Sequence, residues 1–118
     1  MPTTALFVYG TLKRGLRNNH FLAGQKFLGE ARTVPRYRLY DGGPHPCLVE
    51  DSQGGVAVRG EIWHVDEDTL TRLDELEDAP RLFARCPIDI AGLAAPVVTY
   101  LYRGNLAGMK DCGERWPP

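Results

Sequence analysis

Only one stretch of this chain has sustained helical periodicity; the rest is a succession of short apolar runs cut by glycine- and proline-rich turns. Ala5-Leu6-Phe7-Val8-Tyr9 is apolar throughout and stops at Gly10, the pattern of a central strand buried on both faces. Residues 27–40 alternate loosely around Gly29 and Pro35, which predicts one or two strands. Asp41-Gly42-Gly43-Pro44 is a turn, Cys47-Leu48-Val49 a short strand, and Asp51-Ser52-Gln53-Gly54-Gly55 a hairpin-type turn. Val56 to Val65 reads as a long strand with a bulge or bend at Gly60. Phe83 to Ile90 and Pro96 to Tyr102 read as two more strands, joined through residues 91–95. Asn18 or Asn19 can cap a short helix holding Phe21 and Leu22. The tail from Gly104 reads as irregular, with Trp116 as its anchor. Six or seven strands joined by short turns, with one or two helices, predict a mostly antiparallel, barrel-like α+β domain rather than a doubly wound sheet.

The chain has 118 residues, which is room for one domain, spanning 1–118. Its formal net charge of −1 provides no global field for nucleic acid or an anionic membrane. No apolar run approaches the roughly 20 residues of a membrane helix. Met1-Pro2-Thr3-Thr4 has neither the basic start nor the apolar stretch of a secretion signal, so a cytoplasmic protein is expected. Cys47, Cys86 and Cys112 are odd in number and widely spaced. They read as small core residues rather than as disulfide or zinc ligands.

The helical segment is 65–77, with Leu70, Leu73 and Leu76 as its apolar stripe. Asp66 is the natural N-cap, and Val65 and Leu70 stand at the two positions of a hydrophobic staple. Pro80 bars continuation, so the helix should end near Asp78. At ~100° per residue, Glu77 projects between Leu70 and Leu73, inside the stripe. An acid there is costly to bury, and the negative end of the helix dipole disfavours it further. Burial and the nearby acids Asp74, Glu75 and Asp78 would raise its pKa towards the range a general acid/base needs. The plainer reading is a frayed helix end that returns Glu77 to water.

A second candidate is Tyr9-Gly10-Thr11-Leu12, where a strand ending in a glycine turn can present consecutive N–H groups to a carboxylate or an oxyanion. Gly10 and Gly15 bracket only four residues with no GK[ST], so this is neither a Walker loop nor a dinucleotide fingerprint. Glycine spacing alone favours an ordinary tight turn. Lys13, Arg14, Arg17 and His20 form a basic patch beside the loop, either an anion-attracting site or a solvated surface. His20, His45 and His64 lack metal-ligand spacing, and no nucleophile motif is present, so neither metal nor other cofactor is expected.

Leu6-Phe7-Val8-Tyr9-Gly10-Thr11-Leu12-Lys13-Arg14-Gly15, followed by Asn18, resembles the opening of the γ-glutamylcyclotransferase-like (AIG2-like) superfamily. Gly60-Glu61-Ile62-Trp63-His64-Val65-Asp66, Leu73-Asp74-Glu75-Leu76-Glu77, Phe83-Ala84-Arg85 and Gly113-Glu114-Arg115-Trp116 continue it over nearly the whole chain. The spacing is most similar to γ-glutamylamine cyclotransferases and their small bacterial relatives. The resemblance implies a six-stranded barrel-like fold and a substrate pocket lined by Tyr9, Gly10, Thr11 and Leu12. The family's catalytic glutamate falls on Glu77. Phe83 stands where many relatives carry a tyrosine, which makes Tyr102 and Tyr100 the candidate pocket tyrosines.

The implied reaction is cyclisation of a small γ-glutamyl amide to 5-oxoproline with release of an amine. It needs no cofactor, because the nucleophile is the substrate's own α-amine. The rival is a non-catalytic binder of small carboxylates on the same fold. A nucleic-acid-binding barrel built on Lys13, Arg14 and Arg17 would require steeply salt-dependent affinity. The released amine would be chosen by loops at the pocket mouth, including residues 41–46 and the C-terminal tail. Oligomeric state leaves no trace in the sequence.

Overall fold

The computed structural model describes residues 2–118. Strand β1 (Thr3–Val8) runs through the middle of a five-stranded sheet with β2 (Lys26–Arg32), β5 (Arg59–Asp66), β6 (Phe83–Pro87) and β7 (Val98–Tyr102), in the order β2-β5-β1-β7-β6. β1 pairs antiparallel with β5, from Thr3 opposite Asp66 to Val8 opposite Glu61, and parallel with β7. A second sheet holds β3 (Tyr37–Asp41), β4 (Pro46–Glu50) and β8 (Lys110–Gly113) in the order β4-β3-β8. The architecture is α+β. Its main sheet is mixed, however, and among the described residues the two sheets do not close into a six-stranded barrel.

The Ala5–Val8 part of β1 is apolar because the chain packs against both of its faces. Leu6 and Val8 point into one core with Trp63, Val65, Leu70 and Leu73, on the helix side. Phe7 and Tyr9 point into a second core with Leu39, Leu48, Ile62 and Leu101, on the side of the small sheet. Successive side chains of a strand face opposite ways, so the four residues from Leu6 to Tyr9 supply two cores. Cys47 is fully buried in the first, and all three cysteines are free thiols.

Helix α1 (Glu67–Leu76) starts as expected: the Asp66 carboxylate accepts from the Thr69 N–H at 2.8 Å. Its end differs from the expectation. The Asp78 N–H donates to the Glu75 carbonyl and the Ala79 N–H to the Asp74 carbonyl, a Schellman pair. Asp78 takes the left-handed position with φ 52°, which aspartate tolerates better than most side chains. This motif closes the helix at Leu76 and makes Glu77 its C-cap, just before the reversal. Leu76 is exposed, so the buried line along the helix is Leu70 and Leu73, continued by the partly buried Glu77.

Four other expectations need correction. The 51–55 segment turns, with Gln53 and Gly54 N–H groups on the Asp51 carboxylate, but it links the two sheets instead of closing a hairpin. Gly60 is no bulge: a Cβ there would lie 2.4 Å from the Val8 carbonyl oxygen and 2.6 Å from the Phe7 ring, so glycine serves close packing. The register shift falls instead between Phe27 and Gly29 on β2. The tail is partly regular, because β8 pairs with β3. The short helix is a 3-10 turn (Asn19–Leu22) without a side-chain cap from Asn18. Among the described residues no helix is long and apolar enough to cross a membrane.

Candidate active site

Asn18 and Asn19 shape the loop after β1 from a distance. Asn18 Nδ2 donates to Thr11 Oγ1 at 2.9 Å, and its backbone N–H donates to the Thr11 carbonyl at 3.0 Å. Asn19 Nδ2 donates to the Leu12 carbonyl at 2.8 Å. With its carbonyls engaged behind it, the loop keeps the N–H groups of Gly10, Thr11 and Leu12 without a protein acceptor among the described residues. Gly10 is required by contact: a Cβ there would sit 2.6 Å from Pro46 Cγ.

The loop forms one wall of a pocket of about 350 Å³, including its open mouth. Glu77, Tyr100, His45 and Pro46 line the same pocket. The Glu77 carboxylate is largely buried and has no protein hydrogen-bond donor among the described residues; burial pushes its pKa up to about 7. The neighbouring acids, expected to assist, are occupied elsewhere. Asp74 accepts from the Tyr100 hydroxyl at 2.7 Å and pairs with Arg85 at 3.2 Å. Asp78 pairs with Arg81 at 3.0 Å. Desolvation alone raises Glu77.

Tyr9 lines the pocket with its ring, while its hydroxyl donates to the Tyr100 carbonyl at 2.5 Å. Burial, then the charge of Glu77, holds the Tyr9 phenol well above its ordinary pKa. Burial and the Asp74 hydrogen bond do the same for Tyr100. Both phenols therefore stay protonated at neutral pH.

The structure thus brings Tyr9, Gly10, Thr11, Leu12 and Glu77 around one pocket, whereas Tyr102 is not among the residues lining it. Tyr102 packs edge-on against Phe83, with ring centroids 5.4 Å apart. Of the two candidate tyrosines, Tyr100 is the one at the pocket. His45 was not a candidate on spacing, because a lone histidine carries no motif; the turn at 41–44 places it there.

The basic patch dissolves into internal contacts. Arg14 Nε reaches the Glu61 carboxylate at 3.1 Å and its guanidinium lies 3.9 Å from the Phe27 ring centroid. Lys13 Nζ donates to the Trp116 carbonyl at 2.6 Å, fastening the tail, and Arg17 Nη2 donates to the Pro44 carbonyl at 2.5 Å.

The fold and pocket define a small α+β domain in which one unpaired carboxylate and a loop with free backbone N–H groups line the same pocket. Residues 6–117 match the model of the family described as gamma-glutamyl cyclotransferase, AIG2-like, and the chain belongs to that family of enzymes. It is 40% identical over 109 residues to a putative gamma-glutamylcyclotransferase of Vibrio cholerae, covering 92% of each chain. It is 36% identical to the gamma-glutamylaminecyclotransferase of Bos taurus, over 82% of this chain and 63% of that longer protein. Among solved structures, a uropathogenic E. coli-specific protein superposes with a TM-score of 0.83 at 33% identity, covering 97% of this chain and 91% of the other. A Mus musculus AIG2-like protein superposes at 0.77 with 30% identity, over 86% and 78%.

Proposed function

We propose that this enzyme cyclises L-γ-glutamyl amides, γ-glutamylamines among them, to 5-oxoproline and a free amine, with Glu77 as general acid/base. The observation that carries the proposal is Glu77 itself. A carboxyl with a pKa of about 7, unpaired and lining a pocket with free N–H groups, suits proton transfer at neutral pH. The pocket supports the remaining requirements. Its loop N–H groups suit the substrate's α-carboxylate or the oxyanion that forms at the γ-carbonyl. Its small size suits holding the glutamyl chain folded, so that amine and carbonyl meet in near-attack geometry.

In the reaction the α-amine attacks the γ-carbonyl and the five-membered lactam closes. Glu77 takes a proton from the attacking nitrogen. The departing nitrogen must receive a proton, in the simplest scheme the one returned by Glu77. The test is incubation with a panel of γ-glutamyl amides followed by 5-oxoproline assay. Product from at least one member is expected. No product from any, with small carboxylates still bound, would overturn the proposal in favour of a binding protein on this fold.

A further inference from the structure

His45 is held with more care than an exposed turn residue needs. Gly43 N–H caps the Asp41 carboxylate at 2.9 Å, and Gly42 N–H donates to the His45 carbonyl at 3.0 Å. Arg17 ties down the Pro44 carbonyl from the neighbouring loop at 2.5 Å. A Cβ on Gly42 would lie 2.8 Å from the His45 carbonyl oxygen, so the turn admits no larger residue there without shifting. The imidazole rests edge-on against the buried Phe83 ring, with centroids 5.6 Å apart, and lines the same pocket as Glu77. His45 Nδ1 stands 3.3 Å from the Pro46 carbonyl oxygen. A carbonyl only accepts, so that contact favours the proton on Nδ1 and leaves Nε2 as the nitrogen that exchanges protons.

We propose that His45 is a second catalytic residue, the proton donor to the departing amine. This rests on the cyclotransferase reading above and divides its two proton transfers between two groups. The α-nitrogen bonds to the γ-carbon while Glu77 takes the proton that nitrogen sheds. The tetrahedral adduct then collapses, breaking the bond from the γ-carbon to the departing nitrogen. The imidazolium passes its Nε2 proton to that nitrogen as the bond breaks. Glu77 finishes one proton richer and His45 one poorer, and exchange with water resets both. The titratable groups near His45 are Glu77, Tyr100 and Tyr9, which line the same pocket, Cys47 beside the same Gly42, and Asp41 and Arg17 in and behind the turn. Tyr9 and Tyr100 donate their phenol protons to the Tyr100 carbonyl and to Asp74, which leaves His45 as the pocket's second acid.

The test compares two substrates of the same γ-glutamyl group. An alkylamine is a poor leaving group without a proton, whereas an electron-poor anilide departs far more readily. His45→Phe keeps the aromatic contact with Phe83, and His45→Gln keeps a polar side chain; melting curves check that both fold. In both variants kcat/KM for the alkylamide should fall by about 10²-fold, and for the nitroanilide by less than about threefold. Equal losses on the two substrates, or none, would overturn the role of His45 while leaving the cyclotransferase reading in place. Wild-type protein inactive on both, and on the wider panel, would overturn the cyclotransferase reading and His45's role with it.

Discussion

Two glutamates, sixteen positions apart, are both withdrawn from the open surface, Glu61 fully and Glu77 in part, and they meet opposite fates. Glu61, on β5, is 6% exposed and fully engaged. One of its oxygens accepts from the Arg14 N–H at 3.1 Å and the Trp63 indole at 3.2 Å, and the other from the Arg14 guanidinium at 3.1 Å. Glu77, at the helix exit, has no protein donor, and burial lifts it to about 7. Burial alone does not make a carboxylate reactive. A buried charge that is paired and hydrogen-bonded is architecture; one left unpaired keeps its proton near neutrality and can exchange it.

The contrast can be broken most directly at Glu77. Glu77→Gln keeps the shape and removes the titrating proton. Turnover should fall by about 10²–10⁴-fold, with the melting temperature held or raised. Full activity in steady-state assays of the folded variant would refute the role given to Glu77.

The next effect is in the pH dependence. The Glu77 carboxyl ionises at about 7 when folded and near 4.5 when unfolded. The folded chain therefore binds more protons between those values. Its contribution to stability is complete below pH 4.5 and is lost as pH rises through 7, by as much as about 3 kcal/mol. Denaturant titrations at pH 5 and pH 8 should show this decline in the wild type and its reduction in Glu77→Gln. The acid limb of the kcat/KM profile should titrate with an apparent pKa of about 7, as the base form of Glu77 accumulates.

Gly10→Ala probes the wall facing Glu77. Its Cβ would be 2.6 Å from Pro46 Cγ, so loop or turn must move, at about 1–3 kcal/mol. Steady-state kinetics should show a raised KM, because the N–H groups and the 45–46 segment shift together. An unchanged KM would mean that the loop does not contact substrate.

Glu61→Gln should do the reverse of Glu77→Gln. It weakens a charge-assisted network whose arginine is half exposed, which limits the cost to about 1–2 kcal/mol. Chemical denaturation should register that loss while the folded protein turns over normally. Loss of activity out of proportion to stability would show that the two glutamates are coupled.

The sequence distinguished these glutamates only on one side. Glu77 was conspicuous because helical geometry placed it on the Leu70–Leu73 line, and the structure extends that line through it. Its pKa was expected to draw on Asp74 and Asp78, but salt bridges to Arg85 and Arg81 hold both away. Glu61 passed without notice, since on a strand a charged residue is ordinarily on the solvent face. What buries it is Arg14, forty-seven residues earlier, folding back over Phe27. The apparent basic patch vanished for the same reason: its cations bind groups distant in sequence.

Local patterning was sufficient for the central strand, the Asp66 cap, the helix and the inward face of Glu77, because each depends on neighbours within a few residues. The tertiary structure alone decided what faces Glu77. Tyr100, His45 and the free N–H groups of residues 10–12 reach one pocket through pairings between segments tens of residues apart. It also decided which buried acid would find donors and which would not. Those outcomes rest on side-chain partners that only long-range packing brings within hydrogen-bonding distance, and no periodicity along the chain encodes that distance.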